Sequence, residues 1–147
     1  ADETIVYPLD TARDAQTELS SQLKKLSGGE GVDVVYDAVG GDYAEPSIRA
    51  LAWKGRFLVV GFPAGIPKTP LNLALLKGCQ IVGVFWGAHT LREPAMHAEN
   101  MADLFSMYAS GQIKPRISAR FPLEGVPEAL KMMQDRKVMG KVVVTID

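Results

Sequence analysis

Residues 31–62 read GVDVVYDAVGGDYAEPSIRALAWKGRFLVVGF and contain the pattern that decides the fold. Within this stretch, residues 32–39 are nearly all apolar or β-branched, without a clean alternation of polar and apolar positions. Such a run is typical of a strand covered on both faces of a sheet. Gly40 and Gly41 end the run and predict a tight exit from the strand.

A helix and a second strand are predicted directly after this turn. Residues 43–53 have helical spacing. The apolar face of this predicted helix consists of Ile48, Leu51 and Ala52. Gly55 ends the helix ahead of a strand at residues 56–62. The whole stretch therefore predicts a strand, a helix and a parallel returning strand.

The flanking sequence extends the same alternation. Thr4–Tyr7 predicts a short strand closed by Pro8, and a helix then runs to Gly28, with Ala12, Ala15, Leu19, Leu23 and Leu26 at helical spacing. Downstream, a short apolar segment at 71–78 leads to a fully apolar strand at 80–86. Residues 94–110 predict an amphipathic helix that packs on a sheet face and stops at Gly111.

The pattern changes from Gln112 onward. A strand is predicted at 115–123, a helix around 126–133 and a terminal strand at 140–146. Alternating strands and helices with buried-type strands predict an α/β fold with a doubly wound parallel sheet. We place a boundary near Gln112, between residues 1–111 and residues 112–147.

Composition narrows the classes of function. The chain has 16 basic against 17 acidic residues, so its charge gives no reason to expect nucleic acid or an anionic membrane as partner. Its apolar runs are shorter than the roughly 18 residues that a membrane span requires. The single cysteine, Cys79, predicts a buried structural thiol in a reducing compartment. We therefore expect a cytoplasmic protein with a small-molecule ligand.

Ligands of parallel α/β sheets bind beyond the carboxyl ends of the strands. Glycine-bearing segments follow successive predicted strands at 37–41, 60–62 and 84–87. Glycine at such positions lets a ligand approach the backbone closely, although each glycine alone is also explained by a tight turn. Three together predict an extended site along one edge of the sheet.

Several side chains beside these glycines have structural interpretations. Asp37, at the end of a buried strand, is expected to accept hydrogen bonds from neighbouring amides and is given no catalytic role. His89 and His97 lack a metal-ligand pattern and are predicted to be solvated. Phe85 and Trp86 fit either ligand stacking or the core.

The chain resembles the medium-chain dehydrogenase/reductase superfamily, in its zinc-independent, quinone oxidoreductase-like branch. The resemblance covers essentially the whole chain, and its specificity lies in the order and spacing of several segments. These are ADETIVY, GGEGVDVVYDAVGGD, ALAWKGRFLVVGF, NLALLKGCQIVGVFWG, QIKPRISARFPLEGVPEAL and RKVMGKVVVTI. The chain contains no G-x-G-x-x-G turn, on which the pyrophosphate cradle of such proteins depends.

The resemblance implies a two-domain reductase that transfers hydride from NADPH, with NADH as the alternative, to a quinone or an α,β-unsaturated carbonyl. It implies no metal and no catalytic residue in this chain, whose catalytic domain and glycine-rich turn would precede Ala1. In such a protein, residues 1–111 would form the later part of a dinucleotide-binding domain of the Rossmann type, and residues 112–147 would form a C-terminal return segment of the catalytic domain. The cofactor-binding residues that it implies are Gly40, Gly41, Leu58, Val59, Val60, Gly61, Phe62, Val82, Gly83, Val84, Phe85, Trp86, Gly140 and Lys141.

Three further expectations follow from the resemblance. Two subunits would pair through the strand at 80–86 to form a homodimer. The strand at 4–7 would lack its central neighbour, so we expect it to be misplaced, swapped or loosely held. The chain alone should not turn over. The alternatives are a non-catalytic dimerisation or nucleotide-sensing module and, more weakly, a methyltransferase-like fold.

Overall fold

A computed structural model describes residues 1–7, 9 and 11–146. Its first helix, α1, spans Arg13–Leu26, and Ser27 is its C-cap residue. Gly28 and Gly29 follow with positive φ, and the Gly29 amide donates to the Lys24 carbonyl at 2.8 Å. This closes the last turn in the way that glycine after a helix normally does. The predicted helix and its glycine stop are therefore confirmed.

Three parallel strands form the first sheet, in the order β1–β2–β3. They are β1, Val32–Asp37; β2, Leu51–Val59; and β3, Gln80–Gly83. Helix α2, Ala44–Arg49, connects the first two strands, and helix α3, Asn72–Lys77, connects the second and third. The strand–helix–strand prediction for residues 31–62 is correct, and so is the parallel return to the third strand.

The boundaries of three predicted elements are wrong. The helix predicted over 43–53 ends at Arg49, because β2 begins at Leu51 and pairs with Val32 of β1. The strand predicted over 56–62 spans Leu51–Val59, so Gly55, the predicted end of the helix, lies inside β2. The strand predicted over 80–86 ends at Gly83, and helix α4, Trp86–Arg92, begins three residues later. The last ladder bond joins the Val84 amide to the Val59 carbonyl at 2.8 Å.

The predicted N-terminal strand is also wrong. Residues 1–7 form neither strand nor helix, and Val6 is 99% exposed. A strand requires a neighbour for its hydrogen bonds, and the order β1–β2–β3 places none of the described residues beside the free edge of β1. Instead, the Tyr7 ring lies 4.8 Å from the ring of Tyr43. Pro8, the predicted end of the strand, lies outside the described residues.

The core of this part of the chain lies on one face of the sheet. Its buried members are Ala44, Ile48, Leu51, Phe57 and Leu73, with Val35, Val59 and Cys79 packed against them. The partly buried Cys79 thus has the structural environment that was predicted for it. The opposite face is apolar but exposed, since Val34 and Tyr36 are 43% and 67% accessible. The prediction that β1 is covered on both faces is therefore wrong, because α2 and α3 pack on the same side.

The remaining elements form a second unit, which begins at Arg92. Helix α5 spans Pro94–Ala109, strand β4 spans Ile117–Pro122, helix α6 spans Val126–Gln134 and strand β5 spans Lys141–Thr145. Strands β4 and β5 pair in parallel. The predicted strand, helix and strand after Gln112 are confirmed. Helix α5 contains no buried residue, contrary to the expected packing on a sheet face.

The contacts between residues divide the chain at Leu91 and Arg92. The predicted functional division, with a dinucleotide-binding part over 1–111 and a return segment over 112–147, is a different kind of boundary and stays a prediction.

Candidate functional site

The carboxyl ends of the three parallel strands lie in register. Asp37 pairs with Val59, and Val59 pairs with Gly83, so the segments that follow these residues leave from one edge of the sheet. This is the edge at which parallel α/β proteins bind their ligands. The structure therefore brings together the three glycine-bearing segments that the sequence singled out.

Asp37 holds the turn after β1. Its side chain is 9% exposed, and its Oδ1 accepts hydrogen bonds from the amides of Val39 and Gly40, each at 2.9 Å. Its carbonyl accepts from the amides of Val60 and Gly61 at 2.9 and 3.3 Å. The structural role predicted for Asp37 is confirmed, because a buried carboxylate satisfied by backbone amides fixes the shape of a turn.

Gly40 and Gly41 lie against the loop that follows β2. Gly40 has φ of 70°, and a Cβ added there would lie 2.7 Å from Phe62 Cβ and 2.8 Å from the Gly65 carbonyl oxygen. A Cβ on Gly41 would lie 2.7 Å from the Ala64 carbonyl oxygen. Both glycines are therefore required by the close packing of the chain itself. Contact of either glycine with a cofactor stays a prediction.

Main-chain hydrogen bonds tie the same two loops together. The Gly41 amide donates to the Gly65 carbonyl at 2.7 Å, and the Ala64 amide donates to the Val39 carbonyl at 3.0 Å. Sequence reasoning missed this part of loop 62–65. A usable signal was present, because Phe62-Pro63-Ala64-Gly65 has the Pro and Gly positions of a tight turn.

Seven of the predicted residues line one groove at the strand ends. They are Val59, Val60, Gly61, Phe62, Gly83, Val84 and Phe85, around a volume of about 430 Å³. The walls are apolar, and Phe62 and Phe85 are 48% and 78% exposed. No atom of the described residues lies within 4 Å of a Cβ added to Gly83, so the backbone is open there. We call this hollow the strand-end groove.

Three other residues that were predicted to bind the cofactor do not line the strand-end groove. Leu58 and Val82 share a row with Tyr36 across the sheet, which is the row adjacent to the Asp37–Val59–Gly83 row. Since successive side chains of a strand point to opposite faces, Leu58 and Val82 lie on the exposed face. Trp86 is the first residue of α4, and its ring lies 5.2 Å from the ring of His89.

Gly140 and Lys141 belong to the second unit, at the start of β5. Gly140 has φ of 125°, and a Cβ there would collide with the Arg116 carbonyl. The Lys141 amide donates to that carbonyl at 2.8 Å. The close approach of β4 thus explains the glycine. The predicted approach of both residues to a cofactor stays a prediction.

The two histidines differ from their prediction. His89 and His97 are half-buried rather than solvated, and they lie on the helices α4 and α5. Among the described residues, no cluster of three or more His, Cys, Asp or Glu side chains is placed to hold a metal ion.

None of the helices described is long and apolar enough to cross a membrane.

Comparison with known proteins identifies the family. Residues 1–144 match the family model described as zinc-binding dehydrogenase, and the chain belongs to this family. It is 38% identical over 146 residues to the quinone oxidoreductase-like protein 2 homolog of Nematostella vectensis. That match covers 98% of the chain but only 38% of the relative's length. The chain thus spans well under half of this relative.

Solved structures agree with the fold. The chain superposes on the native structure of a mycobacterial protein complexed with NADPH with a TM-score of 0.80, at 26% identity, over 98% of the chain and 43% of that protein. A crystal structure of the CurK enoyl reductase matches with a TM-score of 0.69 at 25% identity, over 87% and 38% of the two chains. The chain is therefore a quinone oxidoreductase-like member of this family with a Rossmann-type fold.

Proposed function

We propose that this chain is the cofactor-binding part of an NADPH-dependent oxidoreductase that reduces quinones or α,β-unsaturated carbonyls by hydride transfer. The observation that carries the proposal is the strand-end groove, an apolar, glycine-bearing hollow at the ligand-binding edge of a parallel sheet. Its support from relatives is threefold. One is named as quinone oxidoreductase-like, one as an enoyl reductase, and one is complexed with NADPH.

The residues of the strand-end groove suit the flat end of a nicotinamide cofactor. The space beside Gly83 is open, since no atom of the described residues lies within 4 Å of a Cβ added there. The aromatic side chains of Phe62 and Phe85 form apolar walls. When bound, the cofactor supplies the hydride, and the protein contributes orientation and exclusion of water. The pyrophosphate has no cradle here, since the sequence lacks a G-x-G-x-x-G turn.

Gly83→Ala tests this assignment in the oxidoreductase that carries the chain. The added methyl group enters open space, so the fold is retained while the approach of the cofactor is blocked. We expect the KM for NADPH to rise about tenfold or more, as the loss of roughly 1.4 kcal/mol of binding implies. Gly28→Ala is the control for a loss of stability alone, because it adds a methyl group to open space after α1, at a residue with φ of 80° and outside the strand-end groove. An unchanged KM in Gly83→Ala would contradict the proposal.

We also propose that the chain alone is inactive. Only part of a cofactor site is present, and no catalytic residue is assigned to it. Purified residues 1–147 should show no NADPH oxidation with a quinone acceptor, measured by the absorbance of the reduced nicotinamide. Steady oxidation by the purified chain would overturn this statement while leaving the assignment of the groove testable by Gly83→Ala.

Pairing of two subunits through β3 is proposed as well. This strand is the edge of the sheet, and its four residues are all exposed. Because the Val84 amide points to β2, alternation directs the Ile81 amide outward. Ile81→Pro should therefore remove an intersubunit hydrogen bond without breaking the ladder to β2. Light scattering should show a dimer for Ile81→Val and a monomer for Ile81→Pro; equal masses would refute pairing at this edge.

A further inference from the structure

A second hollow lies between helices α1, α2 and α3, and it involves no residue of the strand-end groove. Its volume is about 750 Å³, within the range of roughly 300–1,000 Å³ that small-molecule sites occupy. Polar residues of α1 form one wall, and Leu73 and Leu76 of α3 form an apolar part of another. We call it the helix hollow.

Positive charge dominates the helix hollow. Its charged lining residues are Arg13, Lys24, Arg49, Lys77 and Glu45, so four cations face one carboxylate. The whole chain has a net charge of −1, which makes this concentration local. The carboxylate is also engaged, because Glu45 Oε1 accepts from Arg49 Nη2 at 2.6 Å and from Nε at 2.9 Å.

The ammonium group of Lys77 is fixed by a hydrogen bond within the helix hollow. Its Nζ donates to the Leu51 carbonyl at 2.7 Å, which fixes the ammonium beside the start of β2. Burial lowers the pKa of Lys77 below its ordinary value, and the nearby Lys24 cation lowers it further. A negative group in the hollow would relieve this repulsion, because an opposite charge favours the charged form of a lysine.

We propose that the helix hollow binds a small polyanion, of the class of organic or inorganic diphosphates. The cations come from three helices and converge on one concavity, whereas nucleic-acid sites spread them along a face or groove. Hydroxyl groups of Ser20 and Ser21 line the same wall, whereas the Thr17 hydroxyl donates to the Arg13 carbonyl at 2.9 Å. The exposed side chain of Leu76 is available to a non-ionic part of the ligand.

Calorimetric titration of the chain with inorganic pyrophosphate tests the proposal. We expect saturable binding at low ionic strength that weakens in high salt. Lys24→Gln should weaken binding about tenfold or more, as loss of one charge-assisted contact implies. Lys25→Gln is the matched control, since Lys25 is the next residue of α1 and lies outside this hollow, beside Glu18 and Leu26. Its affinity should stay within about twofold of the unaltered chain.

Arg13→Gln provides a second variant in case Lys24→Gln perturbs the helix, which circular dichroism would reveal. Absence of saturable binding, or equal weakening in Lys24→Gln and Lys25→Gln, would overturn the proposal. A parallel titration with NADPH separates this site from the cofactor site. Loss of NADPH affinity in Lys24→Gln would show that the hollow holds part of the cofactor and would overturn its independence. Unchanged NADPH affinity with weakened pyrophosphate binding supports a separate site.

Discussion

Gly40→Ala is a direct test of the contact between the loops that follow β1 and β2. The substitution adds one methyl group at a residue with φ of 70°, where Phe62 Cβ would lie at 2.7 Å and the Gly65 carbonyl oxygen at 2.8 Å. Neither neighbour is the flexible end of a long side chain. The loop at 62–65 must therefore move, or the turn after Asp37 must change its backbone conformation.

Two costs contribute to the expected destabilisation. An alanine at the backbone angles of Gly40, φ of 70° and ψ of −147°, which few residues other than glycine adopt, costs about 1–3 kcal/mol. Overpacking against a fixed neighbour adds about 1–3 kcal/mol. We expect the free energy of unfolding to fall by about 3 kcal/mol, which corresponds to a decrease in Tm of about 10 °C for a chain of this size.

Gly28→Ala separates the two costs. Gly28 has φ of 80°, but no atom of the described residues lies within 4 Å of the added Cβ. It should lose only the backbone term, about 1–2 kcal/mol. The assay is urea unfolding followed by circular dichroism, with thermal unfolding as a second measure. Equal losses in the two variants would refute the close contact between Gly40 and the loop at 62–65.

Three further changes test the same sheet and its surroundings. Asp37→Ala should lower the free energy of unfolding by about 2–3 kcal/mol, because two amide donors lose a buried acceptor; Asp37→Asn keeps one acceptor oxygen and should lose less than half as much in urea unfolding. Phe57→Ala should cost about 3–5 kcal/mol by calorimetry, since this side chain is 2% exposed in the core, and a loss under about 1 kcal/mol would contradict its burial. The lowered pKa of Lys77 means that the unfolded chain binds more protons, so stability should rise as pH increases toward 10.5, the pKa of an unperturbed lysine. Lys77→Gln should flatten this rise, and an identical pH profile in both proteins would refute the pKa shift.

The long periodic segments of the fold could be predicted from the sequence. Helix α1, strand β1 and strand β5 lie where their patterns indicated, because periodicity over many residues identifies an element and glycines limit its ends. The predicted helix over 43–53 failed for a local reason. Leu51 and Ala52 have helical spacing from Ile48, but Leu51 pairs with Val32 in the sheet instead.

Predictions that depended on neighbouring elements were less successful. The apolar character of β1 indicated burial on two faces, yet a strand sequence alone does not reveal on which side its helices pack. Thr4–Tyr7 forms no strand, although its residues favour one; its lack of a neighbouring strand was expected from the resemblance.

The sequence indicated where along the chain the residues of the candidate site lie, but it did not indicate how the loops around them pack. Among the glycines after predicted strands, Gly61 lines the strand-end groove, whereas Gly83 was implied only by the resemblance. The loop at 62–65 occupies the space beside Gly40, and contact of Gly40 with a cofactor stays a prediction. The helix hollow left no sequence signal, because its cations are up to 64 positions apart, from Arg13 to Lys77, and only the packing of three helices brings them together.

The bonds that join the loops after β1 and β2 involve peptide groups alone, from Gly41 to Gly65 and from Ala64 to Val39. The Phe62 ring takes no part in these hydrogen bonds, which form the frame of the two loops. Its Cβ, however, fills the space beside Gly40. Any residue that has a Cβ can preserve that frame. This position is consequently a place where the selectivity of the groove can diversify, by evolution or by design, while the shape of the sheet edge remains the same.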